Sequence, residues 1–203
     1  MEHSANHIFL RGSLSSLPEF SHENHNRRFF RFFLEVPRLS GVIDLLPVVA
    51  EESLLNGLDL SGGSMLTVTG QIRSHNIRTE GRRKLNIFVF ARSILSEEGE
   101  PVNEVILEGP LCREPNLRRT PLGREICDVM LAVPRAFQRA DYLPCILWGR
   151  TARETAGCHA RDRLLICGRL QSRIYTKLTE YGAEERTAYE ISALTAEIQS
   201  DAL

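Results

Sequence analysis

The chain has 203 residues, 42% of them hydrophobic and 25% charged, a composition typical of globular proteins that does not indicate disorder. Its 25 Lys and Arg against 26 Asp and Glu give a formal net charge of -1, so nucleic-acid binding would require a local basic surface. No run approaches the roughly 20 apolar residues of a membrane span, and the N-terminal residues lack a signal-peptide pattern, so we expect a cytoplasmic protein.

The sequence of the first half of the chain predicts mostly β-strands. HIFLRGSL (residues 7–14) is a short apolar run, and RFFRFFLEV (residues 28–36) alternates at period two over part of its length. Phe30 and Phe32 share a strand face with the following Leu and Val and should fill a core. Phe29 and Phe33 point the other way, so we expect them on a contact surface for a domain, a subunit or DNA.

The second half shows strand signals in a definite order. They are EVILEGPLC (residues 104–112), REICDVMLAV (124–133), LPCILWG (143–149), RLLICGRLQSRIYT (163–176) and RTAYEISALTAEI (186–198). A short helix, RTARETAGC (residues 150–158), is predicted between the third and fourth strands. Five strands with a helix in that place follow the order of an OB-fold, a small Greek-key barrel, although another small barrel or sandwich would also fit.

The two halves are copies of one another. A shift of 97 positions places Gly12 on Gly109, and it also aligns the Val-Pro-Arg and Leu-Pro pairs of the two halves without a gap. Because this period far exceeds the 20 to 50 residues of solenoid repeats, it indicates a duplicated domain. We predict two domains, residues 1–95 and 103–198, joined by the short acidic linker of residues 96–102.

All five cysteines lie in the second half, at residues 112, 127, 145, 158 and 167. None forms a Cys-x-x-Cys pair and their number is odd, which suits neither a disulfide framework nor a zinc site. We therefore expect five small buried apolar side chains.

The second copy resembles the bacterial single-stranded DNA-binding protein family. The resemblance is carried by NEVILEGPLCREP, TPLG, the LAV strand, the aromatic-Gly-basic step LWGR and CGRLQSR, which follow in the family's order across residues 103–198. The first copy matches the same framework more loosely. The resemblance implies an all-β protein of two tandem OB-folds that binds single-stranded DNA without catalysis. We also expect no metal and no cofactor.

Sequence-tolerant binding of single strands needs aromatic faces for the bases and cations along the backbone. By the family pattern, four side chains of the second copy take the stacking positions: Phe137, Tyr142, Trp148 and Tyr175. Core packing is the alternative for each of them. Basic side chains surround these positions and are candidate phosphate contacts: Arg118, Arg119, Arg124, Arg135, Arg150, Arg169, Arg173 and Lys177.

The chain departs from the family pattern in two respects. The first copy carries Ser40, Leu45, Glu51 and Ile77 at the four stacking positions, so we expect the second copy to be the main DNA-binding domain. The sequence also stops soon after the last strand, where family members continue into a long tail with an acidic tip. We therefore expect no tail that recruits replication proteins.

Other functions remain open at this stage. A structural or replisome-adaptor protein would use OB-folds to contact proteins, and an RNA-binding variant is compatible with stacking, which does not inspect the 2′-hydroxyl. A hydrolase using SHENH (residues 21–25) is disfavoured, because triad members meet through the fold and not by adjacency. Since family members commonly assemble four OB domains, a homodimer is expected.

Overall fold

The computed structural model describes residues 5–79, 82–179 and 182–199. Residues 1–4, 80–81 and 180–181 of the expected domains, and 200–203 at the end, lie outside the described residues. The described residues form a sheet of twelve strands, which confirms the all-β prediction. The strands are β1 (Asn6–Leu14), β2 (Glu19–Asn24), β3 (Arg27–Pro37), β4 (Ile43–Glu51), β5 (Met65–Thr79), β6 (Arg82–Ser96), β7 (Val102–Pro110), β8 (Asn116–Arg119), β9 (Glu125–Arg135), β10 (Arg139–Trp148), β11 (Arg163–Thr179) and β12 (Gly182–Gln199).

The first half curls into a barrel. Its strands lie in the order β2-β3-β4-β6-β5-β1, and β1 returns to pair with β3 through Leu14 and Leu34, which closes the barrel. Alternate residues of β1 and β3 face the interior, and Leu10 and Phe32 are fully buried there. Phe30 is half-buried against the same core, as its place in the period-two pattern predicts.

The second half repeats this arrangement in the order β7-β11-β12-β10-β9-β8. Leu111 and Leu131 form an antiparallel bridge that closes the barrel. Gly109 is required at this closure, because an added Cβ would lie 2.5 Å from the carbonyl oxygen of Ala132. Four alternate residues of β9 fill the core: Cys127, Val129, Leu131 and Val133, each at most 2% exposed.

The structure corrects several details of the predicted elements. Each half has a short extra strand, β2 or β8, that hairpins onto the next strand, and the alternation of apolar residues was too weak there to predict it. The helix after the third barrel strand is α1 (Gly149–Thr155) in the second half but only a 3-10 turn (Glu52–Leu55) in the first. The β5–β6 and β11–β12 hairpins extend further than their apolar cores indicated.

The cysteine prediction holds for three side chains and is wrong for two. Cys127, Cys145 and Cys158 are buried, and burial raises the pKa of Cys127 to about 11. Cys112 is exposed and Cys167 half-buried. Cys112 lies just beyond the strand that closes the barrel, and Cys167 lies on the outward face of β11, so neither alternates into the core.

The two barrels share one continuous sheet. β1 and β7 pair antiparallel, with Ile8 opposite Val105, and these two residues are equivalents in the repeat. An approximate twofold axis therefore passes between β1 and β7 and relates the two domains.

Two clusters of hydrogen bonds, one on either side of this axis, connect the domains. Each consists of an Asp, an Arg and a Ser, and we call them clasps. Asp44, 1% exposed, accepts hydrogen bonds from the backbone N–H and hydroxyl of Ser172 at 2.6 and 2.9 Å. Its repeat equivalent Asp141, fully buried, accepts the backbone N–H of Ser74 at 2.7 Å. The Val-Pro-Arg motif supplies the cation to each clasp, since an arginine in that motif pairs with each Asp: Arg38 with Asp44 and Arg135 with Asp141.

Candidate nucleic-acid interface

The outward face of the second barrel forms a groove across five strands, β8 to β12. The cross-strand registers place Arg118 of β8 opposite Ile126 of β9, and Ile126 opposite Trp148 of β10. Gln171 and Arg173 of β11 line the same groove, which encloses about 680 Å³. The side-chain period of two therefore brings residues that are distant in sequence onto one surface.

Trp148 lies where this groove meets two further clefts. Those clefts enclose about 640 and 510 Å³, and Trp148 lines both of them as well as the main groove. The indole is 37% exposed, and its Nε1–H donates to Ser192 Oγ at 3.2 Å. Core burial, the alternative for this side chain, does not describe it, because one edge of the ring is hydrogen-bonded while part of the ring remains accessible.

Arginines surround Trp148, but several are paired with carboxylates. Arg118 forms an ion pair with Asp128, and this hydrogen bond raises the pKa of Arg118. Arg173 lies 3.4 Å from Glu190, whose side chain is 9% exposed. Because each guanidinium has five N–H donors, an ion pair with one carboxylate leaves others to face a phosphate.

Arg169 differs from these paired arginines. It lines the cleft beside Trp148, and its Nε is buried with no hydrogen-bond partner among the described residues. Buried donors are normally hydrogen-bonded, so the Arg169 guanidinium beside this cleft is an exception among the described residues.

Two further predicted stackers lie on the same outward face. Tyr142 is 50% exposed and stands six residues before Trp148 on β10, about 20 Å away along the strand. Tyr175 is half-buried further out on β11, with the Arg173 guanidinium 5.4 Å from its ring centroid. Lys177 continues this row of β11 side chains. The structure thus places Trp148, Tyr142 and Tyr175 along one surface without bringing them into contact.

Phe137 lies apart from that surface. It occupies the turn between β9 and β10, is 92% exposed, and has a φ of 61° in the left-handed region that bulky residues rarely adopt. Nothing in the described residues covers its ring.

The remaining predicted arginines divide between the groove and other places. Arg124 lies beside Trp148 in both smaller clefts, while Arg119 lines one of them and pairs with Glu125. Arg150 is 84% exposed at the start of α1 and pairs with Glu154. Arg135 lies at the domain junction and lines a groove of the first domain.

Sequence reasoning missed three arginines that line the clefts around Trp148: Arg38, Arg113 and Arg153. Arg38 comes from the first domain, where its Nη2 donates to the backbone carbonyl of Ser172 at 2.6 Å. The repeated Val-Pro-Arg motif was the signal for it, although only the fold shows that each such arginine reaches into the other domain.

The SHENH segment lies on β2 and the turn after it, and it forms no catalytic arrangement. The Ser21 hydroxyl is 3.1 Å from His22 Nδ1, but the His22 ring stacks on Phe29. Among residues 5–79, 82–179 and 182–199, no group of three His, Cys, Asp or Glu is placed to hold a metal ion. Within those same residues, no helix has the length and apolar character needed to cross a bilayer.

Comparison with known proteins gives a consistent result. The model of the "Single-strand binding protein family" matches residues 102–199. "Single-stranded DNA-binding protein B" of Bacillus subtilis is 40% identical over 80 residues, which are 36% of this chain and 71% of that protein. "Single-stranded DNA-binding protein 2" of Clostridium acetobutylicum is 36% identical over 98 residues, or 41% of this chain and 74% of that protein.

The likeness also extends over both barrels. The crystal structure of wild-type single-stranded DNA binding protein from Thermus aquaticus matches with a TM-score of 0.79 and 25% identity, covering 98% of this chain and 94% of that chain. The tandem OB-fold prediction is confirmed by this match together with the two closed barrels. The chain belongs to the single-strand binding protein family.

Proposed function

We propose that the chain binds single-stranded DNA, without catalysing a reaction on it, and protects or organises it in replication, recombination or repair. The observation that carries this proposal is the position of Trp148, partly exposed at the meeting point of three clefts whose linings are rich in arginine. A base would stack on the indole, and the arginines would contact the phosphates on either side. This activity belongs in the cytoplasm, at the nucleoid.

The second domain supplies the contacts in this proposal. Trp148, Tyr142 and Tyr175 offer rings along one face, and Phe137 adds a fourth at a turn. Arg169 supports a phosphate contact, because it lines the cleft beside Trp148 and its guanidinium is not fully hydrogen-bonded by the described residues. The same path includes Arg118, Arg124, Arg173 and Lys177. Arg119 and Arg150 would contact DNA only at the edge of this path.

We further propose that two chains associate and bring four OB domains together. The outer face of the central strands β5, β1, β7 and β11 is covered by neither barrel, and it carries Ile106, 45% exposed, with the half-buried Phe9 as its repeat equivalent. Leu95 of β6, 51% exposed, extends this apolar surface. A second copy is the occupant we favour, because the face is itself arranged about the approximate twofold axis.

The test is a titration with oligo-dT, duplex DNA and RNA of equal length at two salt concentrations. We expect oligo-dT to bind far more tightly than duplex. Its affinity should fall as salt rises, and the plot of log association constant against log salt concentration should have a slope of about -0.7 per phosphate neutralised. Equal affinity for duplex, or no dependence on salt, would contradict the proposal, and tighter binding of RNA would assign the protein to RNA.

A further inference from the structure

The first domain carries a groove of its own on the outward face of strands β2 to β6. It encloses about 330 Å³, within the range of ligand-binding clefts. Aromatic side chains from four strands line it: His22, Phe29, His75, Phe88 and Phe90. Sequence reasoning placed Phe29 on an outward contact surface but missed the other four as stacking residues. It looked for stacking residues only at the four family positions, and none of those positions holds an aromatic residue in this domain.

These rings lie outside the barrel core but differ in exposure: Phe29 is buried at 8% exposure, whereas His22 and His75 are exposed and Phe88 is half-buried. The exposed His22 ring lies parallel to Phe29, with centroids 4.8 Å apart and an interplanar angle of 8°, so its other face is free of Phe29. Phe90 stands behind, 5.9 Å from Phe29. On β5 and β6 the exposed His75 meets the half-buried Phe88 edge to face at 5.6 Å.

The strand registers show how this groove differs from its counterpart in the second domain. In the β5–β6 register Arg73 lies opposite Phe88, and in the equivalent β11–β12 register Gln171 lies opposite Glu190. Phe88 therefore occupies the position at which the second domain has the carboxylate of Glu190. By the same registers Phe90 corresponds to Ser192 and Phe29 to Ile126. The first domain therefore has aromatic rings at three positions where the second has none.

The charges around the groove also favour an anionic ligand. Arg73 lies with its guanidinium 5.8 Å from the Phe90 ring, and Arg135 reaches in from the second domain. The two arginines share one carboxylate, Asp141, at 3.1 and 3.4 Å, which leaves an excess of one positive charge. On the adjoining surface, Arg31 occupies the place that Asp128 has in the second domain.

We propose that this groove is a second site for single-stranded DNA, in which bases stack on His22 and Phe88 and phosphates contact Arg73 and Arg135. The inference rests on the proposed function, which it deepens. It gives the first domain stacking residues of its own, outside the family positions, and it makes the site composite, because Arg135 is supplied by the second domain. A single strand would then pass from one domain to the other across the clasps.

The test uses the full chain with two substitutions of Phe88. Phe88→Ala removes the ring, and Phe88→Leu keeps apolar volume while removing the aromatic face, so a shared defect cannot be attributed to a cavity. Phe20→Ala is the matched control, because Phe20 is 55% exposed in the same domain but does not line the groove. Thermal unfolding of each variant confirms that it is folded.

Oligonucleotides of two lengths distinguish binding to one domain from binding across both domains. An oligo-dT of about 30 nucleotides can span both OB domains, whereas one of about 8 nucleotides occupies one. Trp148, the only Trp in the chain, reports on the second domain through its fluorescence. Calorimetry counts the short oligonucleotides bound per chain.

We expect both Phe88 variants to bind the long oligonucleotide about 5-fold to 150-fold more weakly, the range for one lost base stack. They should also bind one short oligonucleotide fewer per chain, while the Trp148 signal saturates as in the wild type. Long-oligonucleotide affinity and stoichiometry equal to those of the wild type and Phe20→Ala would overturn the inference. If the Trp148 fluorescence of the wild type does not change on adding either oligonucleotide, the proposed site in the second domain is wrong. The affinities and stoichiometries of the Phe88 variants would still test the site in the first domain.

Discussion

Trp148 offers the sharpest test at the scale of single residues. Its ring is anchored at one edge by the hydrogen bond to Ser192 and is partly open to the grooves on either side. A base that stacks there should quench the intrinsic fluorescence. We expect Trp148→Ala to weaken binding of oligo-dT by about 1 to 3 kcal/mol, measured by the anisotropy of a labelled oligonucleotide.

The control for this prediction is Trp148→Phe, which keeps an aromatic face but loses the indole N–H. It should retain most of the affinity if stacking is the main contribution, and lose as much as the Ala variant if the hydrogen bond to Ser192 positions the site. Unchanged wild-type fluorescence at saturating oligo-dT would show that no base reaches the indole.

The arginines show what sequence can and cannot determine about single residues. The family pattern located Trp148 and the cations near it, because spacing within a strand fixes which residues share a face. It could not identify Arg38 as a neighbour of Trp148, since that contact crosses from one domain to the other. Likewise, Arg135 belongs to the first domain's groove by position, although its sequence neighbours belong to the second.

The turn between β9 and β10 is informative at the scale of elements. Phe137 and Gln138 both have positive φ, at 61° and 54°, where Gly would be relaxed and other residues cost about 1 kcal/mol or more each. We expect Gln138→Gly to raise the free energy of unfolding by about 1 kcal/mol, measured by urea denaturation, with DNA affinity unchanged.

Phe137→Gly at the same turn should also raise stability but lower the affinity for oligo-dT. This opposite response is expected because an exposed Phe in a strained conformation is retained for contact and not for folding. If Phe137→Gly binds DNA as the wild type does, Phe137 is not a stacking residue. Comparison with Gln138→Gly separates loss of the ring from a change in the turn.

Among the elements, strands with strong period-two alternation were predicted well and the others were not. The strand REICDVMLAV was predicted and is β9, whose residues alternate between buried and half-buried from Cys127 to Val133. β2 is exposed along its whole length and has no buried face to mark it, and the outer ends of the β5–β6 and β11–β12 hairpins project beyond the core. Their pairing depends on backbone hydrogen bonds, which leave little trace in composition.

At the scale of the whole molecule, the duplication explains why the framework was kept while the aromatics diverged. The clasps require Arg, Asp and Ser in both copies, because each Asp accepts from a Ser of the other domain. Removing either Asp would leave a partly buried Arg and a backbone N–H without their acceptor. The grooves carry no such reciprocal constraint, so each domain could acquire its own set of rings.

This symmetry makes a prediction for the second domain expressed alone, as residues 99–203. Without the first domain, β7 exposes an unpaired edge, and such edges pair readily with another chain. Since Ile8 and Val105 are repeat equivalents that face one another across the axis, β7 of a second copy can take the place of β1. Asp141 of each copy would then accept from Ser172 of the other, as Asp44 does in the full chain.

We therefore expect this fragment to be a dimer in sedimentation equilibrium at micromolar concentration. Asp141→Ala should shift it toward monomer, by about 1 to 3 kcal/mol of association free energy per clasp, because the Ser172 N–H loses its acceptor. Asp128→Ala is the matched control, since Asp128 also pairs with an Arg but lies in the groove, away from the axis. A folded fragment that stays monomeric would mean that the linker, and not the shared sheet, holds the two domains together.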